Sequence, residues 1–154
     1  MNDIYAINVG KTEFREGYNT GDIDRVAGVF NSGGFTDMSE GEPSKYGAEA
    51  AAVLRQRLAE LFSTYSVKMT PIIIDIVVTG NSAYDYGWHE FILTPKSGGE
   101  PVRKRQRYFE LWNRDGNGKW KIAMYFTNSD VREEVNGVFT HWFLSEDRTA
   151  QLSN

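Results

Sequence analysis

Apolar residues recur along the first part of the chain at three- and four-residue steps. Ile4, Ile7, Phe14 and Tyr18, with Lys11 among them, share one face of a helix. The run "NTGD" predicts its end, with Gly21 as the cap. Asp22 then caps a second, short helix whose buried side is Ile23, Val26, Ala27 and Phe30, and "NSGG" stops it. "FTDM" reads as a short strand and "SEGEPSKYG" as a loop. The alanine-rich run "GAEAAAVLRQRLAELF" predicts the strongest helix, with Ala51, Leu54, Leu58, Leu61 and Phe62 on one stripe.

From residue 66 the period shortens to two. "VKMTPIIIDIVVTG" and "SAYDYGWHEFILTP" are β-branched and aromatic runs joined by the turn dipeptide Gly80-Asn81. "VRKRQRYFELWN", the turn "RDGNG" and "KWKIAMYFTN" continue the series. Helices first and then an antiparallel meander is an α+β plan, with helices on one face of a curved sheet. We divide the chain into one domain over residues 1–128 and a tail over 129–154. The tail's "VNGVFTHWFL" is too apolar to stand in water, so it is expected to pack on the sheet or on a neighbouring subunit.

The stretch "SAYDYGWHEFIL" (82–93) departs from a half-buried strand. One face carries Tyr84, Tyr86, Trp88, Glu90 and Ile92; the other carries Ala83, Asp85, Gly87, His89 and Phe91. A strand with one wet face should separate apolar from polar residues. Here both faces are expected to be covered, one by a partner surface and one by a pocket.

Composition narrows the function. With 154 residues, 40% of them hydrophobic, the chain fits one domain with a real core. A net charge of -4 argues against nucleic-acid and membrane partners, which require excess Lys and Arg. The basic cluster Arg103, Lys104, Arg105 and Arg107 reads as charge that blocks strand-edge pairing, or as a phosphate site. There are no cysteines, which excludes disulfides, thiolate metal sites and a cysteine nucleophile. No run approaches the ~18 apolar residues of a membrane span, and a cytoplasmic protein is expected.

Four segments carry a resemblance: "YNTGDIDRVAGVF" (18–30), "GAEAAAVLRQRLAELF" (47–62), "GNSAYDYGWHEF" (80–91) and "LWNRDGNGKWKIAMYFTNS" (111–129). In this order they resemble the nuclear transport factor 2-like superfamily, in its SnoaL-like and ketosteroid-isomerase-like branch. The resemblance implies a cystatin-like α+β cone: a curved antiparallel sheet wrapped around three N-terminal helices, often a homodimer packed through its outer sheet face. The scaffold carries isomerases, dehydratases, cyclases, epoxide hydrolases and proteins without catalysis, so fold alone does not give function.

The same matching places Asp85, Gly87, His89 and Phe91 toward the pocket. It also turns Tyr108, Glu110 and Trp112 inward on the next strand, with Ala123, Tyr125 and Thr127 on the one after. Tyr86, Trp88, Phe109, Leu111, Ile122, Met124 and Phe126 then form an outer apolar patch that a partner copy or the tail must cover. The steroid-isomerase triad does not carry over. Its oxyanion tyrosine falls on Phe14, its base aspartate on Met38 and its protonated aspartic acid on Tyr108. Asp37 is one position from the base, but strand alternation sends it to the opposite face.

Candidate catalytic residues are therefore His89, Glu110 and Asp85. A histidine beside a carboxylate is the simplest acid/base group near neutral pH, its free value being about 6.5. Tyr108 and Tyr125 could donate to a developing oxyanion. Phe14, Tyr18, Met38 and Trp112 are expected to line an apolar wall, with Gly87, Phe91 and Thr127 on the pocket side of their strands. The competing reading makes His89 a hydrogen-bonded packing residue and the carboxylates partners of Arg105 or Arg107. His141, beside Trp142, reads as a surface or interface residue. Two histidines without paired spacing give no metal site, and the glycine turns lack a phosphate-cradle context, so no cofactor is expected. The expected function is a small, largely apolar ligand pocket serving acid/base isomerisation, dehydration or cyclisation. The alternative is a non-catalytic binding or dimeric module.

Overall fold

The computed structural model of the chain describes residues 2–130 and, as backbone only, the strand pair β7 (Glu134–Val135) and β8 (Val138–Phe139). The side chains of the apolar tail segment, His141 included, lie outside the described residues. Helix α1 (Asp3–Thr20) starts where the Asn2 side chain accepts from the Ile4 N–H. It ends at Gly21, whose φ of 70° is the left-handed cap that glycine adopts without penalty. Asp22 accepts from the Arg25 N–H at 2.9 Å and opens α2 (Ile23–Ala27). Helix α3 (Gly47–Thr64) follows the short strands β1 (Phe35–Met38) and β2 (Lys45–Tyr46). The sequence reads β2 as loop, and at two residues it has too little pattern to show.

Four longer strands complete the sheet: β3 (Tyr65–Thr79), β4 (Ser82–Pro95), β5 (Val102–Arg114) and β6 (Trp120–Ser129). Their order is β2-β1-β6-β5-β4-β3. The meander β3 to β6 is antiparallel as expected, but β1 runs parallel to β6, so the sheet is mixed. A parallel neighbour needs a long crossover, and α3 with three strands of the meander supplies it.

Two irregularities set which side chains face inward. At the break in β3 register between Ile73 and Asp75, the Ile72 carbonyl crosses so close to β4 that a Cβ at Gly87 would lie 1.9 Å from its oxygen. On β6, Leu111 pairs with Met124 but Trp112 with Ile122, leaving Ala123 as the extra residue of a bulge. The bulge reverses the alternation behind it. Ile122, expected outside, is fully buried in the core beside Trp112, while Tyr125 and Thr127 keep their inward facing.

The inner face packs on the helices through Ile7, Phe14, Val26, Leu58, Met69 and Trp112, all 3% exposed or less. The outer face leaves Tyr84, Tyr86 and Phe109 each more than a third exposed. Tyr84 and Phe109 stack with ring centres 5.7 Å apart.

Candidate functional site

Alternation along β4 and β5 brings Asp85, His89, Tyr108, Glu110 and Trp112 to the inner face. Asp85 lies directly opposite Glu110, and His89 opposite Gln106. Asp85, His89 and Glu110 are each 1% exposed or less. Burying two carboxylates requires compensation, and it comes from α1. Lys11, in the middle of the apolar stripe, places its ammonium 2.6 Å from Asp85 Oδ1 and 2.7 Å from Glu110 Oε2. It also sits 4.4 Å from the centre of the Tyr108 ring.

The two carboxylates are not equivalent. Asp85 also accepts from the Tyr108 hydroxyl at 2.7 Å and from Trp112 Nε1 at 2.6 Å, so both its oxygens are satisfied. Glu110 has Lys11 on one oxygen, while its Oε1 has no hydrogen-bond partner among the described residues. Burial pushes the Glu110 carboxyl up to about 8, with Lys11 opposing and the Asp85 charge adding. Burial alone would lower Lys11, but Glu110 and Asp85 outweigh it and the net direction is upward. Burial, aided by Lys11, holds His89 well below its ordinary value and therefore neutral. Burial with the neighbouring Asp85 and Glu110 raises Tyr108, which stays a phenol. A protonated Glu110 beside the Lys11 ammonium limits the charge carried in the buried interior.

His89 lies flat on Tyr108, ring centres 3.9 Å apart, and its Nδ1 is 3.2 Å from the Tyr125 hydroxyl. Its Nε2 is 3.8 Å from Glu110 Oε1, too long for a hydrogen bond. Tyr125 reaches further than His89: its ring lines a cavity of about 190 Å3 between α3, β1 and the inner sheet face. Tyr18, Phe91 and Thr127 line the same cavity, and its polar lining includes Asp37, Glu40, Glu42, Arg57 and Gln106. Wider grooves lie elsewhere. One of about 740 Å3 runs between α1, α2 and the β5–β6 turn, and one of about 610 Å3 lies on the outer face over Phe109, Met124 and Phe126. The buried ionisable cluster adjoins the small cavity, so volume does not mark the site here.

Several expected wall residues lie elsewhere. Met38 pairs with Phe126 on the outer face, and Asp37, expected outside, pairs with Tyr125 and is only 3% exposed. The parallel register of β1 on β6 gives Phe35 and Asp37 the inward positions. Phe14 lies beneath the cavity, its ring centre 5.5 Å from that of His89. Gly87 makes room for the β3 backbone, and Trp112, with Asp85 and Glu110, is in the deep core. His89 itself does not line the cavity.

Three cavity or cluster residues were not among the site residues expected from the sequence. Lys11 had a signal: a cation three and four residues from Phe14 and Ile7 on an apolar stripe must find buried anions. Asp37 shares the strand face of Phe35. It takes a bond from Ser39 and an ion pair from Arg57 at 3.0 Å. Arg57 stands three residues from Leu54 and four from Leu61, at the edge of the α3 stripe, with its other nitrogen 3.5 Å from Glu42. Among the described residues no group of three His, Cys, Asp or Glu side chains is placed to hold a metal, and no helix is long and apolar enough to cross a membrane.

No protein-family model and no curated protein matches the chain. Solved structures do. A ketosteroid isomerase-like protein from Erwinia carotovora atroseptica aligns with a TM-score of 0.71 at 20% identity, over 85% of this chain and 99% of its own. A candidate scytalone dehydratase from Novosphingobium aromaticivorans gives 0.71 at 13% identity, over 84% and 85%. A nuclear transport factor 2-like protein with a cystatin-like fold, also from Novosphingobium aromaticivorans, gives 0.66 at 13% identity, over 83% and 82%. Helices, mixed curved sheet and these likenesses together show that the chain has the nuclear transport factor 2-like fold.

Proposed function

We propose that the protein is an acid/base catalyst of the isomerase, dehydratase or cyclase type, acting on a small organic molecule in the cavity beside α3. The observation that carries this is the pairing of Asp37 with Tyr125. They are register neighbours on β1 and β6, both face inward, and both line the cavity. A carboxylate removes a proton from carbon next to a carbonyl, while a phenol donates to the oxygen where charge develops. Tyr125 suits the second role because burial, with nearby Tyr18 and Glu110, keeps its hydroxyl protonated. His89 acts behind Tyr125, through the 3.2 Å contact at its Nδ1, rather than on the ligand. Asp85 is structural, because both its oxygens already accept from Lys11, Tyr108 and Trp112.

The cavity volume of about 190 Å3 sets the ligand size. It lies below the ~300–1,000 Å3 of drug-sized sites, so the ligand is on the scale of a single ring. Aromatic walls from Tyr18, Phe91 and Tyr125 fit an apolar body. Solved neighbours of this fold include a candidate dehydratase and an isomerase-like protein, which supports the reaction class. The steroid-isomerase triad is not reproduced, since Phe14 and Tyr108 stand where its tyrosine and its aspartic acid fall.

The test follows carbon-bound hydrogens by NMR in D2O for a panel of single-ring ketones and β-hydroxyketones. The wild-type protein should exchange or eliminate at least one of them roughly a hundredfold faster than Asp37→Asn or Tyr125→Phe. Equal rates in folded variants would remove these residues from the chemistry. A wild-type protein inert toward the whole panel would favour the second reading, a non-catalytic module.

That second reading has its own observation, the outer sheet face. Tyr84, Tyr86 and Phe109 are exposed there beside the groove over Met124 and Phe126. We propose that two copies associate through this face, whichever reading of the cavity holds.

A further inference from the structure

Two buried polar atoms face each other without hydrogen-bond partners among the described residues: His89 Nε2 and Glu110 Oε1, 3.8 Å apart. Buried polar atoms are nearly always paired. An unpaired couple next to a salt bridge therefore calls for a reason. On the far side of the imidazole, Nδ1 is 3.2 Å from the Tyr125 hydroxyl, and the Tyr125 ring reaches the cavity. On the far side of the carboxyl, Oε2 is 2.7 Å from the Lys11 ammonium. The groups form a line from the cavity to a fixed cation: Tyr125, His89, Glu110, Lys11. Asp85 flanks that line at Lys11 and Glu110, but its oxygens are taken by Lys11, Tyr108 and Trp112 and it does not reach His89 or the cavity.

We propose that Glu110 is the proton source for Tyr125, reached through His89. This rests on the reading of Tyr125 as the group that meets the reacting oxygen. In the step, the Tyr125 hydroxyl proton passes to the ligand oxygen as charge develops on it. The His89 Nδ1 proton replaces it on the tyrosine oxygen, and the Glu110 carboxyl proton passes to His89 Nε2. One O–H bond forms on the ligand and one breaks at Glu110. The imidazole stays neutral with its proton on the other nitrogen, and no electrons are gained or lost. Closing the gap from 3.8 Å to a bond of about 2.8 Å takes a shift of about 1 Å. The carboxylate left behind sits against Lys11, which was already in place to hold it. When the ligand returns its oxygen proton, the line runs backwards and resets. That is what an isomerisation through an enol requires, since the oxygen proton is borrowed and given back. His89 and Glu110 are thus positioning residues that act through Tyr125.

The groups facing Glu110 are Lys11 and Tyr18 from α1, Asp85 and His89 from β4, Tyr108 on its own strand and Tyr125 from β6. Among these, the imidazole reports the proton directly. The chain has only two histidines, so an imidazole spectrum of protein labelled with 15N-histidine has two sets of signals, and His141→Gln assigns them. At pH 6 we expect His89 to be neutral, with hydrogen on Nδ1 and none on Nε2. Raising the pH should move the Nε2 resonance in one step as Glu110 loses its proton. Glu110→Gln should abolish that step with the rest of the spectrum still dispersed, and Lys11→Met should move it to higher pH. Tyr125→Phe should shift the Nδ1 proton. Hydrogen on Nε2 at pH 6, or an unchanged step in Glu110→Gln, would overturn the proposal. The measurement uses no substrate, so it stands or falls separately from the reaction assigned to the cavity.

Discussion

Lys11 on α1 and Glu110 on β5 are 99 positions apart in the chain and 2.7 Å apart in the cone. The contact pins the first helix to the middle of the sheet at a point where neither residue has water. Removing the cation leaves Asp85 and Glu110 buried against each other with no counter-charge, and breaking such a buried pair costs about 3–5 kcal/mol. Lys11→Met should lower the unfolding free energy by that amount in urea. Lys11→Met combined with Glu110→Leu should lose less than Lys11→Met alone, because one buried carboxyl leaves with the cation. A double-variant loss equal to the sum of the Lys11→Met and Glu110→Leu losses would show that the pair is not coupled.

Glu110 and His89 give opposite pH dependences. Between its ordinary value of 4.5 and about 8, Glu110 keeps a proton in the folded chain that the unfolded chain has released. Its contribution is full below 4.5 and is lost as pH rises through about 8. His89 is neutral when folded but protonates below 6.5 when unfolded, so its contribution is full above 6.5 and falls with pH below it. From 4.5 to 6.5 the two slopes oppose each other. Between 6.5 and about 8 only Glu110 acts, and stability should fall by up to about 1.4 kcal/mol per pH unit. Urea midpoints taken at half-unit intervals should show this slope in the wild type and its absence in Glu110→Gln.

Gly87 tests the β3 irregularity. A methyl group there would lie 1.9 Å from the Ile72 carbonyl oxygen, which is backbone and cannot rotate away. Gly87→Ala should cost at least about 1–3 kcal/mol, the range for forced overpacking. Ala83, two pairs further along the same face, provides the control: Ala83→Gly should lose only about 0.5–1 kcal/mol in the strand. A thermal melt of Gly87→Ala matching the wild type would mean that β3 does not cross at this point.

The proposed association through the outer face predicts a mass. Light scattering should give about twice the 17.5 kDa of one chain for the wild type. Phe109→Arg should give a single chain, because it places a charge at the centre of the exposed aromatic group. Trp88→Arg should do the same, although Trp88 already lies under Arg105 at 4.9 Å. An unchanged mass in both variants would remove the interface.

The elements were legible where period and punctuation agree. Gly21, Asp22 and the Gly80 turn mark boundaries by backbone chemistry that does not depend on tertiary context. Facing was legible along β4 and β5, where alternation is unbroken and places Asp85, His89 and Glu110 inward. It failed at Ile122, because the Ala123 bulge reverses parity with no local signal in "KIAMYF". It failed at Asp37 and Met38 because a four-residue strand takes its facing from its neighbour, and parallel pairing with β6 is a long-range fact. Lys11 was visible in its stripe, but only the fold shows which anions it meets.

The parallel closure of β1 on β6 also says when the protein acquires its site. Asp37 and Tyr125 become neighbours only through this pairing. A ribosome that has not yet released residue 125 holds three helices and most of the cone, but no cavity with both groups. The proposed ligand site therefore forms only once β6 has joined β1, rather than building up along the chain.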